Sequence, residues 1–504
     1  MAHAAAFKNG GRKFYSLRQF TIPSSVVIAL ICGGCASNRS IYEPYSYAPL
    51  SPTTTWTPPS HFPNILEKDT DKPPEQDLPF SLAELIDIAL KNNPQTRISW
   101  AQARSAAANY AQTQSLDFPQ LDGSFAFSRY RSPTFIGGTD TNQVPTGDVF
   151  VRDIYFSQWG PQFAISYLIF DFGQLRATTE AARYALYYAD WSHNYAILTL
   201  LQTITNDYYN LLYQKELLYA YEEDIVTAQL TLDATELGRQ TGVNDVSDYL
   251  QAKTQLLQNQ TSWAAQQQNV QVALATLLTD MGISAHNQLN LQELPKTIPQ
   301  DNVLPGIDDL IAVALQNRPD LLANEATVRS KQQSLKLAER EYYPTLQYAL
   351  DIGKTYYNNG RLHDKYDFTS TLNFSVPIFS GFYYRNGVKM AKANLKESEE
   401  DLHESQLNVI KEVTTYHSSV NVSFETLQFA TDFLEAAEEQ YIVTLAQYKQ
   451  GTNTIINVVS AQSSLATARA DQANAKQNWY TSLSNLAYAT GLLSIPSLPN
   501  QETQ

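Results

Sequence analysis

The chain has 504 residues, 17% of them charged and 43% hydrophobic, and a formal net charge of -15. So acidic a balance argues against a nucleic-acid partner, because no basic face is available to neutralise phosphates. Two cysteines in the whole chain exclude a disulfide framework, and the abundance of Tyr, Gln, Asn, Ala and Leu suits long helices better than a compact enzyme.

Residues 1–34 read as an export signal. Lys8, Arg12, Lys13 and Arg18 form a basic n-region, and a mostly apolar stretch from Phe20 to Ile31 follows, too short for a stop-transfer helix. It ends in Cys32-Gly33-Gly34-Cys35-Ala36-Ser37, which resembles a bacterial lipobox with Cys35 as the acylated first residue of the mature chain. Lipoboxes usually carry Leu where this chain has Cys32, and an ordinary secretory signal with incidental cysteines is the alternative. Cleavage before Cys35 leaves one cysteine, so no internal disulfide can form. A covalent lipid on Cys35 is the only non-protein group expected, with no cofactor and no metal. One acyl chain anchors weakly, at about 0.8 kcal/mol per buried CH₂. After Cys35 no apolar run reaches the roughly 20 residues of a membrane helix. If the chain spans a membrane, it must do so as a β-barrel.

Residues 35–79 form a strap rich in proline, including Pro44, Pro58, Pro59, Pro73 and Pro74. Beyond it the chain is written twice. Leu82-Ala-Glu-Leu-Ile-Asp-Ile-Ala-Leu-Lys-Asn-Asn-Pro94 recurs as Ile307-Asp-Asp-Leu-Ile-Ala-Val-Ala-Leu-Gln-Asn-Arg-Pro319, and Phe118-Pro-Gln-Leu121 as Tyr343-Pro-Thr-Leu346. Further on, Ile169-Phe170 recurs as Ile378-Phe379 and Gly242 as Gly451, at an offset 16 residues shorter. The difference points to a longer loop in the first copy, between Ser132 and Gln162, where Pro, Gly, Thr and Asp cluster. The organisation is repeat 1 over 80–283, a linker over 284–306, repeat 2 over 307–493 and a tail over 494–504.

Each repeat begins with a helix, about Gln95–Asp117 and Asp320–Glu341, followed by a β-hairpin, about 120–170 and 345–378. Alternation is clear in Phe163, Ile165 and Tyr167 and in Leu346, Tyr348, Leu350 and Ile352. Strands of about ten residues match a tilted membrane strand. Four strands per chain cannot close, and hydrocarbon forbids an open edge, so several chains must share one barrel. Three chains would supply twelve strands and begin to leave a lumen. Tyr130, Trp159, Tyr167, Tyr356 and Tyr366 near the strand ends fit either a membrane-interface belt or loop packing.

After each hairpin comes an uninterrupted helical stretch. Gln174 to Gln240 lacks proline, and Ile197, Ile204, Leu211, Leu218, Ile225 and Leu232 recur every seventh residue. Val413, Val420, Leu427, Leu434 and Tyr441 continue the register in the second copy, where only Gln406 fails it. Such stripes mark helix packing against helix over about 100 Å. The chain turns back at Gly242 and Gly451 into shorter helices, roughly Val246–Thr279 and Ile455–Thr490. The helix before each hairpin supplies the missing length if it stacks end to end on the shorter one.

A doubled unit of helix, hairpin, very long helix, Gly turn and helix, behind a lipobox and a Pro-rich strap, resembles the TolC-like outer-membrane efflux factor family. The local carriers are Ala89-Leu-Lys-Asn-Asn-Pro94, Tyr167-Leu-Ile-Phe-Asp-Phe-Gly173, Ser375-Val-Pro-Ile-Phe-Ser-Gly381, the run from Tyr448 to Ala461, and Leu486-Ala-Tyr-Ala-Thr-Gly-Leu-Leu493. The resemblance covers nearly all of Pro79 to Leu493. It implies a mainly α protein with a membrane β-barrel: a homotrimer whose twelve-stranded barrel sits in the outer-membrane lipid of a Gram-negative bacterium, continuous with an α-helical barrel across the periplasm. It implies an equatorial layer built from Ser284 to Pro305 and the chain ends. It also implies a periplasmic adaptor and an inner-membrane pump as partners, in tripartite efflux or type I secretion, with passive transport through the duct.

The family's periplasmic mouth closes through a tether between neighbouring coils and a ring of acids. Alignment on the turn glycines puts the tether tyrosine on Tyr448 and its acidic partner on Asp248. The assisting arginine falls on Asn453, and the ring aspartates on Asn457 and Ser460. One tether kept and the ring lost imply a weaker gate and a less cation-selective entrance. Asp248 equally fits an acid in the first turn of a helix, favoured there by roughly 0.3 to 1 kcal/mol.

Two other classes compete. Catalysis finds no support, since His193, His286, His363, His403 and His417 lack ligand-like spacing and no nucleophile or phosphate-loop motif occurs. A periplasmic adaptor-like lipoprotein with coiled-coil hairpins is the alternative binding protein. It would carry one hairpin inserted in a β-rich domain, not two hairpins with two membrane-length strand pairs.

Overall fold

The computed structural model describes residues 43, 45, 48–49, 51–55, 79–139, 145–242, 245–292, 304–358 and 364–493. The export signal, Cys35, most of the strap and the tail lie outside the described residues.

Repeat 1 opens with α1 (Leu82–Asn92) and α2 (Pro94–Gln114). Ser81 and Glu84 close a reciprocal capping box on α1. Asn93 starts α2: its Oδ1 accepts from the N–H of Gln95 at 2.7 Å and of Thr96 at 3.4 Å, and Pro94 supplies a preset helical φ. A 3₁₀ turn then leads to β1 (Gln120–Thr139) and β2 (Pro145–Phe170). Next come the long helix α3 (Gln174–Gln240) and its return helix α4 (Val246–Asp280). Repeat 2 follows the same order: α5 (Ile307–Asn317), α6 (Pro319–Arg340), β3 (Thr345–Tyr357), β4 (Lys365–Ser375), α7 (Tyr383–Lys449) and α8 (Ile455–Ala489). Helices α3 and α7 are each 67 residues long, about 100 Å at 1.5 Å per residue.

These helices make one curtain. On one side of α3 lie α2 and α4; between α3 and α7 lie α6, near the sheet, and α8, farther from it. The stacked pairs meet end to end. Asn93 Nδ2 donates to the Asp280 carbonyl at 2.7 Å where α2 meets α4, and Arg318 Nη1 donates to the Ala489 carbonyl at 3.4 Å where α6 meets α8. Gly282 makes the first junction possible: at φ +76° it brings its backbone so close that a Cβ would lie 2.5 Å from the Asn92 carbonyl oxygen.

Two cores sit at this middle level. Leu85, Ala89, Ile197, Ile204, Leu211 and Leu277 bring α1, α3 and α4 together. Leu310, Ala314, Val409, Val413, Val420 and Leu486 do the same for α5, α7 and α8. The short helices α1 and α5 thus lie against the long ones as a belt. Phe80 bridges to Leu291, and Tyr208 Oη donates to the Gln292 carbonyl, so the linker joins the belt where its residues are described. The described strap residues dock closer to the sheet: Ala48 packs among Ala103, Tyr110 and Leu186, and the Thr54 carbonyl lies 3.0 Å from His193 Nε2.

The stripe on α7 is buried as the heptad requires, with Val413, Val420 and Leu427 fully covered. On α3 the stripe drifts. Ile197, Ile204 and Leu211 are buried, but beyond them the covered positions are Leu217, Asp224 and Thr231, one residue earlier than Leu218, Ile225 and Leu232. The cause is that α3 has α4 on one side and α8 on the other, so its covered face turns between two neighbours.

The four strands form one antiparallel sheet in the order β1-β2-β3-β4. The first hairpin corrects the expectation of ten-residue strands and a long loop between Ser132 and Gln162: β1 has 20 residues, β2 has 26, and the ladder runs on to Gly137 opposite Val149, with Thr139 opposite Pro145. The extra residues lengthen a ribbon instead of a loop. Pro133 and Pro145 mislead because proline is tolerated at the free edge and the end of a two-stranded ribbon.

Candidate functional site

The register assigns each strand residue to one of two faces. Leu121, Ile165 and Leu350 lie side by side, as do Phe163, Ile352 and Phe368, then Tyr167, Tyr348 and Leu372. The opposite face carries rows such as Asp122, Ala164, Asp351 and Thr369, or Ser124, Gln162, Gly353 and Asp367. The apolar face is solvent-exposed in the single chain, with Phe125 at 70% and Phe368 at 69%. One apolar and one polar face is the pattern of a barrel wall between lipid and an aqueous lumen.

Aromatic rows bound the apolar face. Phe127, Trp159 and Tyr356 stack at centroid distances of 6.4 and 6.3 Å, and Lys354 Nζ lies 4.6 Å from the Tyr356 ring. At the helical end Phe170, Phe172, Tyr343 and Tyr342 form a chain of ring contacts of 4.7, 5.2 and 4.5 Å. From Trp159 to Phe170 along β2, a tilted strand rises about 25 to 28 Å, the height of the apolar band of an outer-membrane barrel. Trp159, Tyr356, Tyr366 and Tyr167 lie on the apolar face. Tyr130 does not: it stacks with Phe156 at 5.1 Å on the polar face. Both outer edges, on β1 and β4, lack a strand partner among the described residues.

At the other end of the curtain, the tip residues fall into two groups. Tyr448 Oη donates to Asp248 Oδ2 at 3.2 Å, joining α7 of the second coil to α4 of the first, with Tyr448 only 7% exposed. The cap of α4 is made by Asp245, whose carboxylate accepts from the N–H of Val246 at 2.6 Å, which leaves the Asp248 side chain turned to the tyrosine. Asn453 belongs to the second turn instead, donating to Gln447 Oε1 at 3.0 Å and accepting from Asn457 Nδ2 at 2.6 Å. Asn457 and Ser460 are exposed on one face of α8, without a charge. Gly242 and Gly451 turn the coils at φ +78° and +74°. Arg239 lies over the ring of Tyr249, the residue after Asp248, at 5.2 Å, a basic group at the first turn that the alignment of motifs missed.

Sequence patterns also missed a polar seam between the two coils. Arg469 Nη1 on α8 pairs with Asp224 Oδ1 on α3 at 2.7 Å, with side chains 16% and 5% exposed. Two turns on, Gln462 Nε2 donates to Thr231 Oγ1 at 2.8 Å and to the Thr227 carbonyl at 2.9 Å, and Tyr441 Oη donates to the same carbonyl at 3.2 Å. Burial raises the Asp224 carboxyl above the ordinary range, and the hydrogen bond and charge of Arg469 pull it back part of the way. The signal available was Asp224 falling on the covered helix face, where an acid needs a partner.

Residues 85–282 and 310–492 each match the family model for outer membrane efflux proteins, one match per repeat. The chain belongs to that family. It is 23% identical over 422 residues to the outer membrane protein TolC of Vibrio cholerae, covering 82% of this chain and 91% of TolC. It is 22% identical over 422 residues to the probable efflux pump outer membrane protein TtgC of Pseudomonas putida, covering 82% and 83%. Among solved structures the fold is similar to the outer-membrane channel OprN, with a TM-score of 0.71, 17% identity and coverage of 87% and 99%. The open-state MtrE channel of Neisseria gonorrhoeae gives 0.66, 17%, 87% and 98%. The chain is therefore a TolC-like outer-membrane efflux channel of a Gram-negative bacterium, with its helical part in the periplasm, and the family is one of channel proteins. An adaptor-like protein is set aside by the same match.

Proposed function

We propose that three copies of this chain close a twelve-stranded barrel and a helical tunnel that serves as the passive exit duct of a tripartite efflux or type I secretion system. The observation that carries this is the four-stranded sheet with one apolar face and, among the described residues, two unpaired edges. Four strands cannot close on themselves, and an open edge in hydrocarbon leaves backbone groups unsatisfied, so β1 of one copy must meet β4 of the next. The periplasmic coils then dock on an adaptor, and an inner-membrane pump supplies the energy. A covalent lipid on Cys35 adds an anchor.

The Tyr448–Asp248 contact acts as the tether that holds the coil tips together at the periplasmic mouth. Asn453, Asn457 and Ser460 supply no second ion pair or acid ring, so the closed mouth is held weakly and selects little for cations. Extraction and gel migration test the assembly. The protein should resist carbonate washing and run as an oligomer unless boiled; release from membranes as a monomer would refute the duct.

A further inference from the structure

We propose that the groove between α3 and α6, immediately beneath the sheet, binds the headgroup phosphate of an anionic phospholipid in the inner leaflet of the outer membrane. The proposal rests on the barrel being embedded as described. The groove holds about 380 Å³ and is lined by Arg176, Glu180, Arg183, Gln333, Lys336 and Arg340. Four cations face one acid, in a chain whose net charge is -15. Spacings of four and three residues along α3, and of four along α6, set these side chains on two facing helical ridges.

Part of the site is already organised. Arg340 Nη1 donates to the Gly173 carbonyl at 2.8 Å, and Gln174 Nε2 donates to the Arg340 carbonyl at 3.0 Å, which ties the two helix ends together. Arg183 pairs with Glu180 at 2.6 Å and lies over the Tyr184 ring at 5.4 Å, yet its buried Nε has no hydrogen-bond partner among the described residues. Arg176 and Lys336 are exposed. Glu180 balances one cation, so the groove keeps an excess of positive charge and a buried donor that an anion would satisfy.

Depth identifies the anion. Arg176 and Arg340 lie within about one helical turn of Phe172 and Tyr343, whose rings are 5.2 Å apart in the lower aromatic row. The headgroup layer extends roughly 5 to 8 Å beyond the hydrocarbon edge, so these two cations fall inside it. Basic pockets at that level suit phospholipid phosphates.

The test uses the full-length protein in nanodiscs of phosphatidylcholine with or without phosphatidylglycerol, reading retained lipid by native mass spectrometry for wild type and for R176Q/K336Q. Wild type should retain phosphatidylglycerol preferentially, and the double variant should bind it about thirtyfold more weakly while still running as a heat-modifiable oligomer. Equal retention of the two lipids by wild type, or equal retention by the variant, overturns the proposal. Displacement of the lipid by millimolar inorganic phosphate, or a change of ion selectivity in planar bilayers, would instead assign the groove to a free or luminal anion and overturn it too. Loss of the oligomer in wild type would count against the duct itself, a result separable from all of these.

Discussion

Replacing Arg469 with alanine probes the seam that fixes the two coils to each other. In the wild type its guanidinium lies 2.7 Å from the Asp224 carboxylate, and both groups are largely withdrawn from solvent. Removing one member of such a pair leaves an uncompensated buried charge, at about 3 to 5 kcal/mol. The cost depends on pH in a defined direction. Burial is the largest influence on Asp224 and raises its pKa, while Arg469 lowers it; without Arg469 only the raising influences, burial and Glu223, remain. An acid whose folded pKa is raised contributes its stability at low pH and loses it as pH rises through the folded value. The deficit of Arg469→Ala should therefore be smaller at pH 5 than at pH 8, because protonation of the unpaired Asp224 relieves it. Helical circular dichroism melts of the purified protein at the two pH values measure it. The double variant Asp224→Asn/Arg469→Ala should recover most of the loss at pH 8. An equal deficit at both pH values, or no recovery in the double variant, refutes the reasoning.

Tyr448→Phe removes a hydrogen bond to a carboxylate, a class of contact that contributes about 1.5 to 3 kcal/mol. It should raise closed-state conductance in planar bilayers, as should Asp248→Ala; unchanged conductance in both would leave Asp248 as an ordinary first-turn acid. Asp190 is fully buried on α3, neither carboxylate oxygen has a hydrogen-bond partner among the described residues, and burial pushes its pKa up to about 9. Its stability contribution is present below the ordinary carboxylate pKa and falls as pH rises towards 9, so Asp190→Asn should raise the melting temperature at pH 8 and change it little at pH 4. Gly282→Ala and Gly451→Ala separate two roles of glycine. Both pay about 1 kcal/mol for left-handed φ, but only the Ala at 282 collides with backbone, whereas nothing lies within 4 Å of a Cβ at 451. Thermal melts should show a clearly larger loss for Gly282→Ala.

Sequence periodicity alone determined the doubled plan and the two long helices with their turning glycines, and it supplied the argument that one chain cannot close a barrel. These follow from local rules: a heptad stripe without proline can only be a long packed helix, and four strands with one apolar face cannot close by themselves. Tyr448 and Asp248 were paired through family resemblance, and the fold places their side chains in contact across 200 residues of chain. What only the tertiary structure decided depends on which neighbour a helix or strand faces. The Ser132–Gln162 insert extends a ribbon because each strand supplies the other's hydrogen bonds, which no single-strand pattern reveals. Asp224 finds Arg469, and Arg176 finds Arg340, because α8 and α6 occupy successive lengths of one slot between α3 and α7. That stacking brings together charges far apart in sequence, and no periodicity along one segment can encode it.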